Sequence, residues 1–324
     1  MLAQLARRAV AGAAVVAGVV TLTFLLLRLA PGDPVERLLG LTGTPAQLAA
    51  QRRALGLDRP LAAQYAAWLG SFARGDWGRS IATGRPVRVV LGDAIPATLE
   101  LVGLSLVLSY LFGFAVGMWQ ARAGPRVDTA LSITTVTLFA LPGFWLGLML
   151  VMTLTYWAHW LPAFGAAGLD VDELTGWSRW GDRLRHLAMP LATLTLVGVG
   201  GAARYVRGSM RDVQSQPFVR TAHAKGLTPW RVTRRHVTRN AAIPIVTLLG
   251  LSLPALFSGV VFVEAVFAWP GIGRRLVEAV LARDYPVVLA GTSVTAVLVV
   301  LGNLLSDLWV TWIDPRIRHA SGDA

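Results

Sequence analysis

Six stretches of this chain carry no charged residue over a length comparable to the thickness of a bilayer: residues 9–27, 101–121, 129–157, 187–203, 241–263 and 287–306. A helix rising 1.5 Å per residue needs roughly 20 apolar residues to cross about 30 Å of hydrocarbon. Buried helices of soluble proteins are shorter and keep a polar stripe for water, which these runs lack. Lipid leaves the backbone no partner but itself, so each run is expected to be a helix. The chain therefore reads as all-α, a polytopic membrane protein with six transmembrane helices. Composition agrees, with 54% hydrophobic and only 15% charged residues among 324; soluble domains carry roughly a quarter charged. There is no cysteine, which removes disulfide frameworks, thiolate metal sites and cysteine nucleophiles.

Orientation follows from where the charge sits. With six spans both chain ends share one side, and that side holds 15 basic residues against 4 acidic ones, nine of the 15 between Arg204 and Arg239. Leaving aside Arg28, Glu100 and Asp307 at span ends, the other side holds 14 against 12, eight of the 14 in the long segment 30–96, and long translocated segments report topology weakly. The positive-inside rule places both termini and the segment 204–240 in the cytoplasm. The same distribution explains the net charge of +12 without nucleic acid. The densest basic stretch lies between two spans and lacks the interleaved aromatics of a base-stacking surface, so topological retention and attraction to anionic lipid head groups account for most of its charge. Arg7 and Arg8 precede the first run, but Arg28-Leu29-Ala30-Pro31 offers no small-x-small cleavage site, so the run reads as a retained helix.

The external segment opens with Pro31-Gly32-Asp33-Pro34, a string that ends the first span. Two short amphipathic helices follow, 45–55 and 61–72; the second puts Leu61, Tyr65, Trp68, Leu69 and Phe72 on one face, suited to the membrane or another subunit. A second external loop, 159–186, mixes Trp160, Trp177 and Trp180 with Asp170, Asp172 and Glu173, as an interfacial belt beside solvated loop would. Pro142, Pro190, Pro244 and Pro254, with Gly198, Gly200 and Gly201, are positions where helices kink or pack closely.

The loop between the fourth and fifth spans has the most specific local pattern. Pro217 starts a helix, Arg220 to Lys225 propagate it, and Gly226 ends it with φ > 0. Thr228 then caps a new helix whose first residue is Pro229. The result is two short helices at a glycine elbow, a basic projection shaped to dock in a partner's groove. Lys225 is the single lysine among 30 basic residues.

Residues for covalent chemistry are missing. No Gly-x-x-x-x-Gly-Lys-Ser/Thr loop is present, and Gly271-Ile272-Gly273 reads as an external turn. His159, His186, His223, His236 and His319 are scattered, without ligand spacing, so no metal site is expected. Ionisable residues near span ends are Arg28, Glu100 and Asp307, of which Glu100 is the candidate for a translocation pathway. An ion-coupled carrier or channel is the competing class, and carriers normally need carboxylates or broken helices near the midplane.

At the elbow the sequence resembles the membrane-permease subunits of ABC importers, in the peptide-type branch that takes up dipeptides, oligopeptides and sometimes nickel. Arg220-Thr221-Ala222 followed by Gly226 matches that family's cytoplasmic Glu-Ala-Ala-x-x-x-Gly loop, without its leading Glu and with Pro244 falling 18 residues after the glycine. Leu55-Gly56-Leu57-Asp58-Arg59-Pro60, Gly75-Asp76-Trp77-Gly78, Pro96-Ala97-Thr98-Leu99-Glu100, Trp269-Pro270-Gly271-Ile272-Gly273, Arg283-Asp284-Tyr285-Pro286 and Asp314-Pro315-Arg316 extend the resemblance along the chain. It implies a type I ABC importer transmembrane fold in a bacterial cytoplasmic membrane. The implied division is a first helix within 1–29, an external segment 30–96, a core 97–312 with the coupling loop 204–240, and a cytoplasmic tail 313–324. Implied partners are a second homologous permease, two ABC ATPase subunits or domains, an external solute-binding protein and the peptide itself. The implied ATPase contact is Arg220, Thr221, Ala222, His223, Ala224, Lys225, Gly226 and Leu227. ATP and Mg would be bound by the ATPases, leaving no cofactor in this chain and no catalytic step. Nickel chelates and glutathione are the alternative solutes.

Overall fold

The computed structural model describes residues 2–29, 44–54 and 56–313. Pro31-Gly32-Asp33-Pro34, the end of the 45–55 helix at Leu55 and the tail from Asp314 lie outside them. The helices are α1 (Leu2–Leu29), α2 (Pro45–Ala54), α3 (Leu61–Ala73), α4 (Val87–Arg122), α5 (Pro125–Ala140), α6 (Gly143–Leu150), α7 (Trp177–Gln214), α8 (Pro217–Ala224), α9 (Pro229–Val232), α10 (Thr238–Val266), α11 (Ile272–Ala282) and α12 (Tyr285–Ile313). Wider π-helical turns continue α6 over Val151–Trp157 and join α9 to α10 over Thr233–Val237.

Five of the six predicted apolar runs are helical throughout, and 129–157 is helical except at Leu141 and Pro142. Among the described residues α1, α4, α7 and α12 are long and apolar enough to cross a bilayer, and α5 with α6 passes the same test as a bent pair. The run 241–263 lies within α10.

Several expectations are corrected. The run 129–157 is not one tilted rod: α5 and α6 meet at 103°. Pro142 has no N–H to continue α5, and it pushes Leu141 into extended backbone, φ −72° and ψ 134°. The fourth span is part of a 38-residue helix, about 57 Å long at 1.5 Å per residue. The loop before it ends at Gly176 (φ +55°) rather than His186, and Pro190 is accommodated inside α7. The second span extends back to Val87 and includes Pro96. Gly271-Ile272-Gly273 is the start of α11 rather than a turn, with the Ile272 N–H donating to Thr98 Oγ1 at 2.8 Å.

Residues 2–29, 44–54, 56–98 and 270–300 form one compact unit. Here the aromatic face of α3 covers this chain's own first helix: Phe24, Tyr65, Trp68, Phe72 and Trp77 follow one another with ring centroids 5.2–6.4 Å apart. Val87, Leu91, Ala94, Ile272, Ala279, Val287, Val288 and Ala290 make its core. The buried Asp284 carboxylate accepts from Ser80 Oγ and from the Ala82 N–H.

The other unit comprises residues 99–269 and 301–313. Helix α7 is its hub, packed against α5, α6 and α10. Glycine decides how close those helices come. A Cβ at Gly200 would stand 2.5 Å from Thr135 O and 2.8 Å from Phe139 N, so this glycine serves close packing against α5. Gly200→Leu is expected to destabilise the purified chain by about 1–3 kcal/mol through overpacking. A lowered thermal midpoint in detergent checks this; an unchanged midpoint contradicts the contact.

Candidate functional site

The first half of the elbow forms as its sequence predicts. Pro217 is the first residue of α8, Lys225 its C-cap, and Gly226 has φ +82°. The Gly226 N–H donates to His223 O (2.9 Å) and the Leu227 N–H to Ala222 O (3.4 Å), the paired bonds of a Schellman stop. Ala222 and Leu227 meet in one hydrophobic cluster, supplying the apolar contact that accompanies such stops.

That cluster decides which way the elbow faces. Val219 and Ala222 are buried beside Val206, Met210, Val232 and Val237, with Phe114 and Met118 of α4 against them. Arg220, Thr221, His223, Ala224, Lys225 and Gly226 are exposed together. Of the eight predicted contact residues the structure gathers these six on the surface and turns Ala222 and Leu227 inward. Trp230 is clasped by Arg122, whose guanidinium lies 4.6 Å from the ring centroid and ties the elbow to the end of α4.

Beyond Gly226 the second short helix does not stand alone. From Pro229 the chain is continuously helical through α9 and the π turns into α10. Thr228 has the extended backbone of an N-cap (φ −61°, ψ 146°), but its side chain makes no capping bond.

A feature the sequence reading does not single out lies nearby. The Asp128 carboxylate accepts from Arg207 Nε (2.6 Å) and Nη2 (2.7 Å) and from Arg211 Nη2 (2.8 Å), joining the first turn of α5 to α7. Its signal is faint but present: Asp128 is one of few acids on the basic side, and it stands at a helix start that favours negative charge. Glu100, the predicted pathway residue, is paired with Arg183, whose guanidinium also lies 5.1 Å from the ring centroid of the buried Trp269. Sequence spacing gives no hint of partners 83 residues apart.

Between α4, α5, α6, α7 and α10 lies a cavity of about 330 Å³, its walls including Tyr110, Phe139, Phe144, Tyr205 and Phe262. Tyr110 Oη and Ser252 Oγ share a 2.6 Å hydrogen bond in its lining. The volume is in the range of small-molecule pockets, and the wall is apolar with few polar groups. Among the described residues no group of His, Asp or Glu is arranged to hold a metal ion.

Residues 109–319 match the family described as binding-protein-dependent transport system inner membrane component, and residues 1–102 match its N-terminal region. The chain is similar to the oligopeptide transport system permease protein AppB of Bacillus subtilis (strain 168), 36% identical over 98% of this chain and 100% of that one. It is 38% identical to the di/tripeptide transport system permease protein DppB of Pseudomonas aeruginosa (strain UCBPP-PA14), over 93% and 94% of the two chains. Among solved structures it shares a helical fold with a methionine ABC transporter in inward-facing conformations: TM-score 0.53, 16% identity, 71% of this chain and 98% of that one. An amino acid ABC transporter solved with histidines gives TM-score 0.51 at 14% identity, covering 69% and 94%.

Proposed function

This chain belongs to the family of binding-protein-dependent transport system inner membrane components, and on that basis we propose that it carries short peptides inward across the bacterial inner membrane. Membership makes it a multi-pass, non-catalytic permease of an ABC transporter, with ATP hydrolysis residing in separate subunits. The peptide solute is supported by relatives named for oligopeptides and for di- and tripeptides.

The observation that carries the mechanism is the exposed basic elbow locked at Gly226. In the proposed cycle both termini and the elbow face the cytoplasm, and two ATPase subunits or domains, carrying ATP and Mg, grip the exposed Arg220, Thr221, His223, Ala224, Lys225 and Gly226. Ala222 and Leu227 seat that surface on the cluster shared with α4 and α7, so a push on the elbow is delivered to those helices as a rigid body. The core 97–312 performs translocation, with segment 30–96 outside and tail 313–324 inside. A second homologous permease completes the pathway, to which the aromatic cavity and Glu100 contribute, and an external binding protein delivers the solute. An apolar lining with few fixed polar groups suits peptides of varied side chain.

Proteoliposomes test this reading. The full complex with ATP is expected to accumulate radiolabelled dialanine, and the chain alone is expected to accumulate none. Uptake by the chain alone would make it a carrier or channel, and ATP-driven uptake of a nickel chelate or glutathione without competition from peptides would replace the solute.

A further inference from the structure

We propose that Glu100 and Arg183 form a releasable latch partway along α4, on the outer side of its seam with α7, with that seam acting as the pivot. The proposal rests on the importer reading above, which requires the outer end to open and close.

The seam is made of small residues. Ser109 Oγ donates to Thr195 O at 3.3 Å. A Cβ at Gly113 would stand 2.5 Å from Ala202 Cβ, and one at Gly117 would stand 2.5 Å from Ala203 O. Backbones this close are held by continuous van der Waals contact, and separating them forfeits it along the whole seam.

Nearer the outer end the joints differ in kind. Helix α7 is stitched to the loop before it: Asp182 accepts from the Gly168 N–H (2.8 Å), and Arg185 donates to Trp160 O (3.2 Å). The same loop is stitched to the end of α10 by the Gly165 N–H, which donates to Phe267 O (2.9 Å). Trp269, buried there, supplies the platform for the Arg183 guanidinium. The Glu100 carboxylate is the partly exposed one of the joints that helix α4 makes here; two residues before it the buried Thr98 Oγ1 accepts from the Ile272 N–H (2.8 Å), and Leu101 next to it is buried. Both partners are about one-third exposed, 30% for Glu100 and 36% for Arg183, so water replaces either at little cost when they part. Arg183 keeps its aromatic platform when Glu100 leaves, which makes the joint reusable.

The geometry supplies leverage. Glu100 lies 13 residues from Gly113, the middle of the seam, a lever of about 20 Å at 1.5 Å per residue. A tilt of about 10° about Gly113 moves the carboxylate about 3.4 Å, enough to break a hydrogen bond, and the ends of the seam by only about 1 Å. A small rocking motion that leaves the seam intact therefore switches the outer joint between closed and open.

The chain has no cysteine, so Glu100→Cys with Arg183→Cys places its only two thiols at the latch. In the reconstituted importer, with second permease, ATPases and binding protein, bridging them with a short bifunctional thiosulfonate is expected to cut ATP-driven dialanine uptake at least tenfold. Dithiothreitol is expected to restore it. A bridged complex importing within twofold of the unbridged one, or thiols that cannot be bridged, overturns the latch. Glu100→Gln with Arg183→Gln is expected to raise ATPase turnover without binding protein at least threefold, and unchanged turnover in the assembled complex counts against the proposal. Should the wild-type complex import no peptide, the solute reading fails by itself. The latch is then read from ATP hydrolysis: bridging must abolish stimulation by the binding protein, and persistent stimulation overturns it.

Discussion

Gly226→Val is expected to reach the membrane in normal amounts and to lose ATP-driven uptake by at least tenfold, while Gly226→Asn retains most of it. The reasoning is conformational. Gly226 has φ +82°, and no atom lies within 4 Å of a Cβ built there, so the side chain has room and the cost falls on the backbone. For an L-residue the left-handed region costs roughly 1–2 kcal/mol, most of all for a β-branched one, whereas asparagine visits it readily. A valine relieves that strain by rotating out of the Schellman stop. Doing so breaks the Leu227 to Ala222 bond and swings Arg220, His223 and Lys225 off the surface proposed to meet the ATPases. Uptake together with ATPase stimulation by binding protein measures the effect. Valine and asparagine variants of equal activity would remove the elbow from the mechanism.

Asp128→Ala is expected to cost about 3 kcal/mol of stability, because it leaves the Arg207 guanidinium with its Nε and Nη2 donors unpaired beneath a partly buried helix contact. Asp128 is 10% exposed and Arg207 29%, so water compensates only in part; Arg211, at 46%, recovers by turning outward. Asp128→Asn retains shape and part of the hydrogen bonding and should fall between. The reversed pair, Asp128→Arg with Arg207→Asp, should recover some of the loss, and a double-mutant cycle on thermal midpoints isolates the coupling. Additive losses would mean that α5 is seated on α7 by packing at Gly200 alone.

The elbow was readable residue by residue because its information is local. Pro217, Gly226 and Pro229 each restrict φ or remove an N–H, and those restrictions act within a few residues of the position that imposes them. The amphipathic face of α3 was readable as a face, but not as to what it covers: Tyr65 and Trp68 meet Phe24, a contact that hydrophobic spacing leaves open. Pro142 was readable as a site of bending, whereas the 103° angle depends on the packing of α6 against α7 and α10. Pro190 shows the reverse case, a proline that α7 absorbs where it is buried among neighbouring helices.

Sequence alone determined that this chain is a bundle of membrane-length helices with a basic elbow, since an uncharged run in lipid has the helix as its backbone solution and a glycine between two prolines stops one locally. Tertiary structure alone decided which charges meet: Asp128 with Arg207 and Arg211, Glu100 with Arg183 over Trp269. Those partners lie about 80 residues apart along the chain, and which helix faces carry them together is set by close contacts such as Gly113, Gly117 and Gly200, not by the period of hydrophobicity that builds each helix.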